Sequence, residues 1–448
     1  MAADVLFESR FVRRKKAEWM DQWYKSFEKK TDIGYKKYEN ATIIPLKRFP
    51  EDDLLFGRGG VIDSQGDYID SSAIKDRVEG KYDIAQPELE DKTVVYCGYL
   101  IDQWGHFLIE AVSRLWFFLL HDNPSYKYVF FFRKGENHRI EGNYKEFLRL
   151  LGILDRVELI IEPVRYREVI IPEVSFDYLH FYTDQYRDIY NTVISRALET
   201  EPIRSNKEKR KIFISRSHFP KSFNSEVGLD MLDNFFSKNE FDIIYPESMS
   251  LTELIILIYN SSVVATESGS TSHNVLFAED KKNVLIIERQ TIVNRVQSSI
   301  DCVRNLSVTY VDADLMIYPV IMGFGPFFIS FNSWFKSFAD SFGMIEPDNQ
   351  FLNEEYIQTC LKQYLMIYRR NYGLKLGAEG QQPLFANILY EAYLDSMNIV
   401  GKFLSDNSPF YYSCIKDLEK SKQKERHRKK RLAIKCKLKS MIKKDVES

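Results

Sequence analysis

The chain has 448 residues, of which 44% are hydrophobic and 28% are charged, and this composition is typical of a globular protein with two or three domains. Its formal net charge of −2 at pH 7 argues against a chain built as a whole to bind nucleic acid. The five cysteines do not lie at metal-ligand or redox spacing. Residues 1–16 lack the apolar core of a signal peptide, and no apolar run is long enough to cross a bilayer. We therefore expect a cytoplasmic location.

The first part of the chain predicts an α/β lobe, which we place at residues 1–200. Short apolar runs predict strands, and longer runs with helical spacing predict helices. The predicted strands are 94–96, 128–132, 157–161 and 169–171, and the predicted helices are 107–120 and 144–151.

A polar stretch at residues 199–211 marks the boundary to a second, more regular lobe, which we place at residues 201–317. The predicted strands there are 212–215, 241–245, 262–265, 284–287 and 308–311, and the predicted helices include 226–238 and 270–278. Ser250 and Glu253 form a capping-box pattern ahead of a further helix. The alternation predicts an α/β fold of two Rossmann-like lobes with parallel sheets, in which ligands sit beyond the carboxyl ends of the strands.

The end of the chain differs in composition from the two predicted lobes. Residues 318–419 are mixed aromatic and charged segments, which predict a helical extension. Between residues 420 and 444 there are thirteen Lys or Arg residues and one acidic residue. Apolar residues recur there at helical spacing, at Ile434, Leu438, Met441 and Ile442. Residues 420–448 therefore predict either a basic amphipathic helix suited to an anionic membrane surface or a solubilising tail.

A glycine-bearing loop and a helix follow the predicted strand 94–96. His106, Glu110 and Arg114 are spaced four residues apart and would line one face of that helix. An imidazole and a carboxylate at the mouth of a sheet could deprotonate a hydroxyl group. The alternative is a solvated ion pair on a helix surface. No nearby His or Cys completes a metal site, so we predict that no metal is bound.

A second polar turn follows the predicted strand 262–265. Gly269, Ser270 and Thr271 would open the helix 270–278 and present backbone N–H groups to a diphosphate. The alternative is an ordinary strand-to-helix turn in which Ser270 or Thr271 is the N-cap. Neither a dinucleotide-binding nor a P-loop glycine pattern occurs here, which disfavours a nucleotide-sugar oxidoreductase.

A basic loop follows the predicted strand 212–215. It holds Arg216 and Lys221, whose positive charges could bind phosphate oxygens. The alternative is that these are two exposed basic residues of an ordinary loop.

Together these segments resemble glycosyltransferase family 61, in its bacterial capsular-polysaccharide branch. The resemblance is carried by residues 104–116 (WGHFLIEAVSRLW), 214–226 (ISRSHFPKSFNSE), 245–277 (YPESMSLTELIILIYNSSVVATESGSTSHNVLF) and 284–289 (VLIIER). It implies a GT-B fold, in which two Rossmann-like lobes face each other across a cleft. It also implies a nucleotide-sugar donor held mainly by the second lobe, inversion at the anomeric carbon, and no metal or other cofactor.

The resemblance extends to single residues. In the first lobe, His106 and Glu110 match the family's His and acidic position. The donor-side positions are matched by Arg216, Gly269, Ser270 and Asn274. One departure is Lys221, which stands where the family often has a second Arg. Trp104 and Arg114 are candidates for acceptor contacts on the first lobe.

These expectations combine into a mechanism. Glu110, which we favour, or His106 takes the proton of an acceptor hydroxyl on a growing capsule or surface polysaccharide. The departing diphosphate is stabilised by Arg216, Lys221 and the turn at residues 269–271. The expected partners are a nucleotide sugar and an oligosaccharide or lipid-linked acceptor, with no nucleic acid, and the basic tail would hold the enzyme at the inner face of the cell membrane.

Two other functions stay open at this point. One is a different GT-B-like transferase of capsule assembly, which moves a pyruvyl or phosphosugar group. The other is a non-catalytic sugar-binding partner that keeps the fold without the chemistry.

Overall fold

The structure is a computed structural model. It describes residues 5–49, 56–74, 77–132, 139–200, 210–219, 226–291, 294–315, 317 and 325–372. The strands are β1 (Leu6–Phe11), β2 (Glu28–Lys29), β3 (Tyr35–Lys47), β4 (Arg58–Ile62), β5 (Leu89–Tyr99), β6 (Lys127–Phe131), β7 (Val157–Ile160), β8 (Val164–Pro172), β9 (Phe176–Asp177), β10 (Phe181–Tyr182), β11 (Lys211–Ile214), β12 (Glu226–Val227), β13 (Phe241–Ile244), β14 (Val263–Glu267), β15 (Asn283–Glu288), β16 (Ser307–Asp312) and β17 (Phe327–Phe328).

The helices are α1 (Arg14–Ser26), α2 (Trp104–Ile109), α3 (Trp116–His121), α4 (Gly142–Leu151), α5 (Asp184–Glu199), α6 (Leu229–Lys238), α7 (Leu251–Asn260), α8 (Arg295–Arg304), α9 (Ser333–Ser341) and α10 (Glu354–Tyr372). Short 3-10 helices lie at Asp70–Ser72, Ala111–Arg114, Leu154–Arg156, Pro246–Ser248, Ser272–Phe277 and Asn349–Phe351. No helix among the described residues is long and apolar enough to span a membrane.

The chain forms two compact units. Unit one comprises Met1–Phe219, Phe236–Glu288 and Val293–Val311, and unit two comprises Pro220–Phe235, Arg289–Ile292 and Asp312–Ser448. Unit one contains both large sheets of the described chain. The predicted domain boundaries at residues 200 and 317 stay predictions.

The first sheet has the strand order β4-β3-β8-β5-β6-β7. β5 pairs in parallel with β8 and β6, and β6 pairs in parallel with β7. β3, however, pairs antiparallel with both β4 and β8, so this sheet is mixed, and the predicted parallel pairing holds for part of it. The sequence reading missed β3 because its first half is largely exposed and charged, while only residues 41–46 form a buried run.

The second sheet has the strand order β1-β16-β15-β14-β11-β13. The pairs β11–β13, β11–β14 and β14–β15 are parallel, as the alternation of strands and helices predicted. β1 also pairs in parallel with β16, although it lies within the range predicted for the first lobe. An ion pair between the fully buried side chains of Lys16 and Glu288 joins α1 to the end of β15 at 2.9 Å.

Two predicted helices differ from the structure. The run 107–120 is divided into α2, a 3-10 turn and α3, because Glu110 departs from helical geometry with φ −115° and ψ −56°. The run 270–278 is the six-residue 3-10 helix Ser272–Phe277. The capping box of Ser250 and Glu253 at the start of α7 is confirmed.

Unit two is built around α9, α10 and a short parallel pair of β12 and β17. Its core contains Val227, Leu315, Ile317, Phe328, Cys360, Leu361, Tyr364 and Tyr368. Within the predicted extension, the described residues 325–372 contain α9 and α10 together with β17, while residues 373–419 and the basic tail 420–448 lie outside the described residues.

Candidate functional site

The polar group of the first sheet lies just beyond the carboxyl end of β5, where α2 begins. His106 Nδ1 lies 2.7 Å from Glu110 Oε1. The Glu110 side chain is 7% exposed, whereas that of His106 is 35% exposed. The i,i+4 spacing therefore brings these two side chains together, with the carboxylate inside and the imidazole at the surface.

Arg77, which the sequence reading did not single out, completes this group. Its Nε donates to Glu110 Oε2 at 3.0 Å, and its Nη2 lies 3.1 Å from His106 Nδ1. The guanidinium also lies over the Phe56 ring, 3.9 Å from the centroid. No local pattern marks Arg77, because it is 33 residues from Glu110 along the chain and only the fold brings them together.

Arg114 does not lie on the exposed helix face that its spacing predicted. It is 1% exposed and does not pair with Glu110. Its guanidinium donates to the Pro172 carbonyl, and to the Ser71 and Ala73 carbonyls at 2.8 and 3.2 Å. The break after α2 turns Arg114 inward, so it braces the backbone of the first sheet and leaves no surface for an acceptor contact.

The turn after β14 is closed by its own side chains. Gly269 adopts φ 137°, a value that L side chains rarely adopt. Ser272 Oγ donates to the Gly269 carbonyl at 2.7 Å and accepts from the Gly269 N–H at 3.2 Å. Within the described chain, the N–H groups of Ser270 and Thr271 make no hydrogen bond, and Ser270 is exposed. The predicted helix dipole would stabilise a bound anion only weakly here, because a short 3-10 helix replaces the α-helix.

This turn directly contacts the start of α2. Trp104 Nε1 donates to Asn274 Oδ1 at 2.8 Å. A Cβ atom built on Gly105 would lie 2.9 Å from His273 Nδ1 and 3.0 Å from Ser270 Oγ, so only glycine allows this approach. The Asn274 amide also donates to the Thr271 carbonyl at 2.9 Å, and its oxygen and nitrogen are therefore both engaged inside the protein.

Arg216 lies just beyond the carboxyl end of β11 and reaches the same turn. Its Nη1 donates to Thr271 Oγ1 at 3.0 Å. Its backbone N–H donates to Glu267 Oε1 at 3.3 Å, and its guanidinium lies over the Phe219 ring. Burial lowers the pKa of Arg216, while the charges of Glu267 and Glu247 raise it. Its neighbour in the predicted cation pair, Lys221, lies outside the described residues.

His273 lies in the motif of residues 245–277, but its sequence pattern predicts no role for it. It is 7% exposed, and among the described residues only the Gly105 backbone interacts with one of its ring nitrogens. Burial and, to a smaller extent, the nearby His106 lower its pKa to about 3, although the Gly105 backbone acts in the opposite direction. His273 is therefore a neutral imidazole near neutral pH.

Metal ligands are not grouped in the described part of the chain. Among those residues, no cluster of three or more His, Cys, Asp or Glu side chains could hold a metal ion. The expected independence of metal and cofactors stays a prediction.

Two comparisons bear on this site. No curated protein matches the sequence significantly. The family model described as Glycosyltransferase 61 matches residues 104–285, a range that begins at Trp104 and includes Glu110, Arg216 and the turn after β14. This part of the chain is therefore similar to glycosyltransferase family 61.

Proposed function

We propose that this protein is an inverting, metal-independent glycosyltransferase. It moves a sugar from a nucleotide-sugar donor to a hydroxyl group of a growing capsule or surface polysaccharide. The observation that carries the proposal is the direct contact of Trp104 and Gly105, at the start of α2, with the turn after β14. Because α2 also carries His106, a proton acceptor would then lie near a phosphate cradle, and sugar transfer requires both functions.

His106 is the better candidate for the base in this geometry, in contrast to our preference from the sequence for Glu110. The Glu110 carboxylate is buried and already accepts from Arg77 and His106. The His106 ring is partly exposed, and its Nδ1 is occupied by Glu110. Glu110 would then orient the ring and stabilise the imidazolium that forms as the acceptor loses its proton, as in other carboxylate–histidine pairs.

The diphosphate would leave towards Arg216. Its guanidinium bonds to Thr271 in the turn after β14, where the N–H groups of Ser270 and Thr271 have no hydrogen bond to a described residue. Fixed donors of this kind stabilise charge that develops on a leaving group. Because Thr271 Oγ1 holds one arm of Arg216, the guanidinium is already oriented before a donor binds.

The fold type, the donor and the membrane location in the proposed function rest on the family resemblance and on the basic tail. The two large sheets would be the two Rossmann-like lobes of a GT-B enzyme. The transferred group would come from a cytoplasmic nucleotide sugar. Residues 420–448 would hold the enzyme at the inner face of the cell membrane, near a lipid-linked or oligosaccharide acceptor.

The test begins with the purified full-length chain and a panel of UDP-, GDP-, TDP- and CMP-sugars, with phosphoenolpyruvate as the probe for pyruvyl transfer. Binding is measured by thermal shift, and turnover is measured as release of the nucleotide. We expect one nucleotide-sugar class to bind and to turn over. Binding of phosphoenolpyruvate alone would contradict the proposal.

The base is tested in the same assay. We expect His106→Gln to lower turnover by roughly 100-fold or more, the range typical of a lost general base, with donor affinity unchanged. Glu110→Gln should lose less, since its amide oxygen can still accept from Nδ1. The matched control is His180→Gln, because His180 is exposed and pairs with Asp177 at 2.8 Å in a similar way. A larger loss in Glu110→Gln than in His106→Gln would return the role of base to Glu110.

A further inference from the structure

His273 is an unusual residue for the interior of a protein. Buried polar groups are almost always hydrogen-bonded, because a buried polar atom without a hydrogen-bond partner makes folding less favourable. Yet the ring of His273 is 7% exposed, and among the described residues only the Gly105 backbone interacts with one of its nitrogens. A buried ring with a nitrogen that no described group binds indicates a residue that the protein keeps for a ligand.

The position of the ring is set by two neighbouring contacts. Trp104 donates to Asn274, and Gly105 lies against His273, so the start of α2 and the turn after β14 run side by side. Because Gly105 has no side chain, the His273 ring can lie directly against the helix that carries His106.

The surroundings of the ring indicate what it can bind. Two residues before His273, Thr271 bonds to Arg216 of the proposed phosphate cradle. His106 is close enough to His273 that a charge on the His106 ring disfavours a charge on the His273 ring. In a transfer reaction, the moving sugar must lie between the leaving phosphate and the base. The sugar would then lie close to His273, whose turn contacts Arg216 and whose ring is near His106.

The charge state of the ring indicates the chemistry of its partner. With a pKa of about 3, the imidazole is neutral at physiological pH and has one donor and one acceptor nitrogen. A neutral ring gains little from a phosphate, which prefers a cation. A sugar hydroxyl, which both donates and accepts, matches it.

We propose that His273 binds a hydroxyl group of the sugar being transferred and thereby contributes to the choice of donor sugar. This inference rests on the proposed function, and it adds a residue to which the family resemblance assigns no role. The hydrogen bonds form without any change in covalent structure.

The test compares two affinities in one protein: that for the nucleotide sugar found to bind and that for its nucleoside diphosphate. Their ratio reports what the sugar adds to binding. In His273→Phe, which keeps a ring of similar size but has no polar atom, we expect this ratio to fall about 5–10-fold, the size of one or two neutral hydrogen bonds. Affinity for the nucleoside diphosphate should not change.

Two further variants test whether the fall in this ratio comes from the lost polar atoms or from a disturbed structure. His273→Gln supplies one donor and one acceptor and should restore part of the ratio. His180→Phe changes an exposed His and should leave the ratio intact. An unchanged ratio in a folded His273→Phe variant, with the diphosphate bound normally, would overturn the assignment of His273 alone. If the wild type binds neither a nucleoside diphosphate nor a nucleotide sugar, the proposed function is overturned and this inference with it.

Discussion

Glu110 is held by one partner four residues away and by another 33 residues away. The near partner, His106, follows from helical spacing, because residues i and i+4 lie on one side of a helix. The distant partner, Arg77, takes the place that the spacing had suggested for Arg114. Only the folded chain shows that the carboxylate is shared between a guanidinium and an imidazole.

Arg216 supports a prediction about donor binding. Arg216→Ala removes the cation that we place at the diphosphate and should weaken nucleoside diphosphate affinity by about tenfold or more, since charge-assisted bonds contribute about 1.5–3 kcal/mol. Calorimetric titration measures the change. The matched control is Arg210→Ala, because Arg210 precedes the same strand at its opposite end and forms an exposed pair with Asp242. Equal affinity in the two variants would remove Arg216 from the cradle.

At the scale of elements, α1 is joined to the second sheet through a buried carboxyl. Asp301 on α8 accepts from Tyr24 on α1 at 2.6 Å and from Tyr310 on β16 at 2.5 Å. Its other oxygen accepts from Gln297 at 2.9 Å. Burial raises the pKa of Asp301 to about 6, although these three hydrogen bonds act in the opposite direction.

This raised pKa predicts a pH dependence of stability. Between about pH 4 and pH 6 the folded protein keeps a proton on Asp301 that the unfolded chain releases, so stability falls as pH rises through this window. Asn has no carboxyl group that titrates, so the stability of Asp301→Asn should not fall in this way. From pH 4 to pH 7 its free energy of unfolding should rise relative to the wild type by roughly 3 kcal/mol.

Urea unfolding at several pH values measures this difference. Asp242→Asn serves as the control, since Asp242 is exposed and its replacement should leave the curve parallel to that of the wild type. Parallel curves for Asp301→Asn as well would show that Asp301 does not titrate in this window.

At the scale of the whole molecule, the uneven charge of the chain predicts where it acts. The segment 420–444 has thirteen basic residues and one acidic residue, although the whole chain has a net charge of −2. Each basic residue near an anionic membrane contributes about 1 kcal/mol. Removal of residues 420–448 should therefore reduce binding to phosphatidylglycerol vesicles by more than about tenfold, as measured by co-sedimentation.

Two comparisons make that test specific. Neutral phosphatidylcholine vesicles should bind the full chain weakly, and a variant with Gln at every Lys and Arg of 420–444 should behave like the truncation. Release of nucleotide with a soluble acceptor should continue in both variants. Equal binding of the full and shortened chains to anionic vesicles would refute a membrane role for the tail.

The sequence by itself determined the parallel strands of the second sheet, the capping box of α7 and the family of residues 104–285. These features depend on short apolar runs, on hydrogen bonds between near neighbours and on motifs, which are local properties of the chain. Tertiary structure alone decided that β1 joins the second sheet and that Arg77 binds Glu110. It also decided that His273 is buried against Gly105 at the start of α2, because such contacts depend on which distant segments pack together.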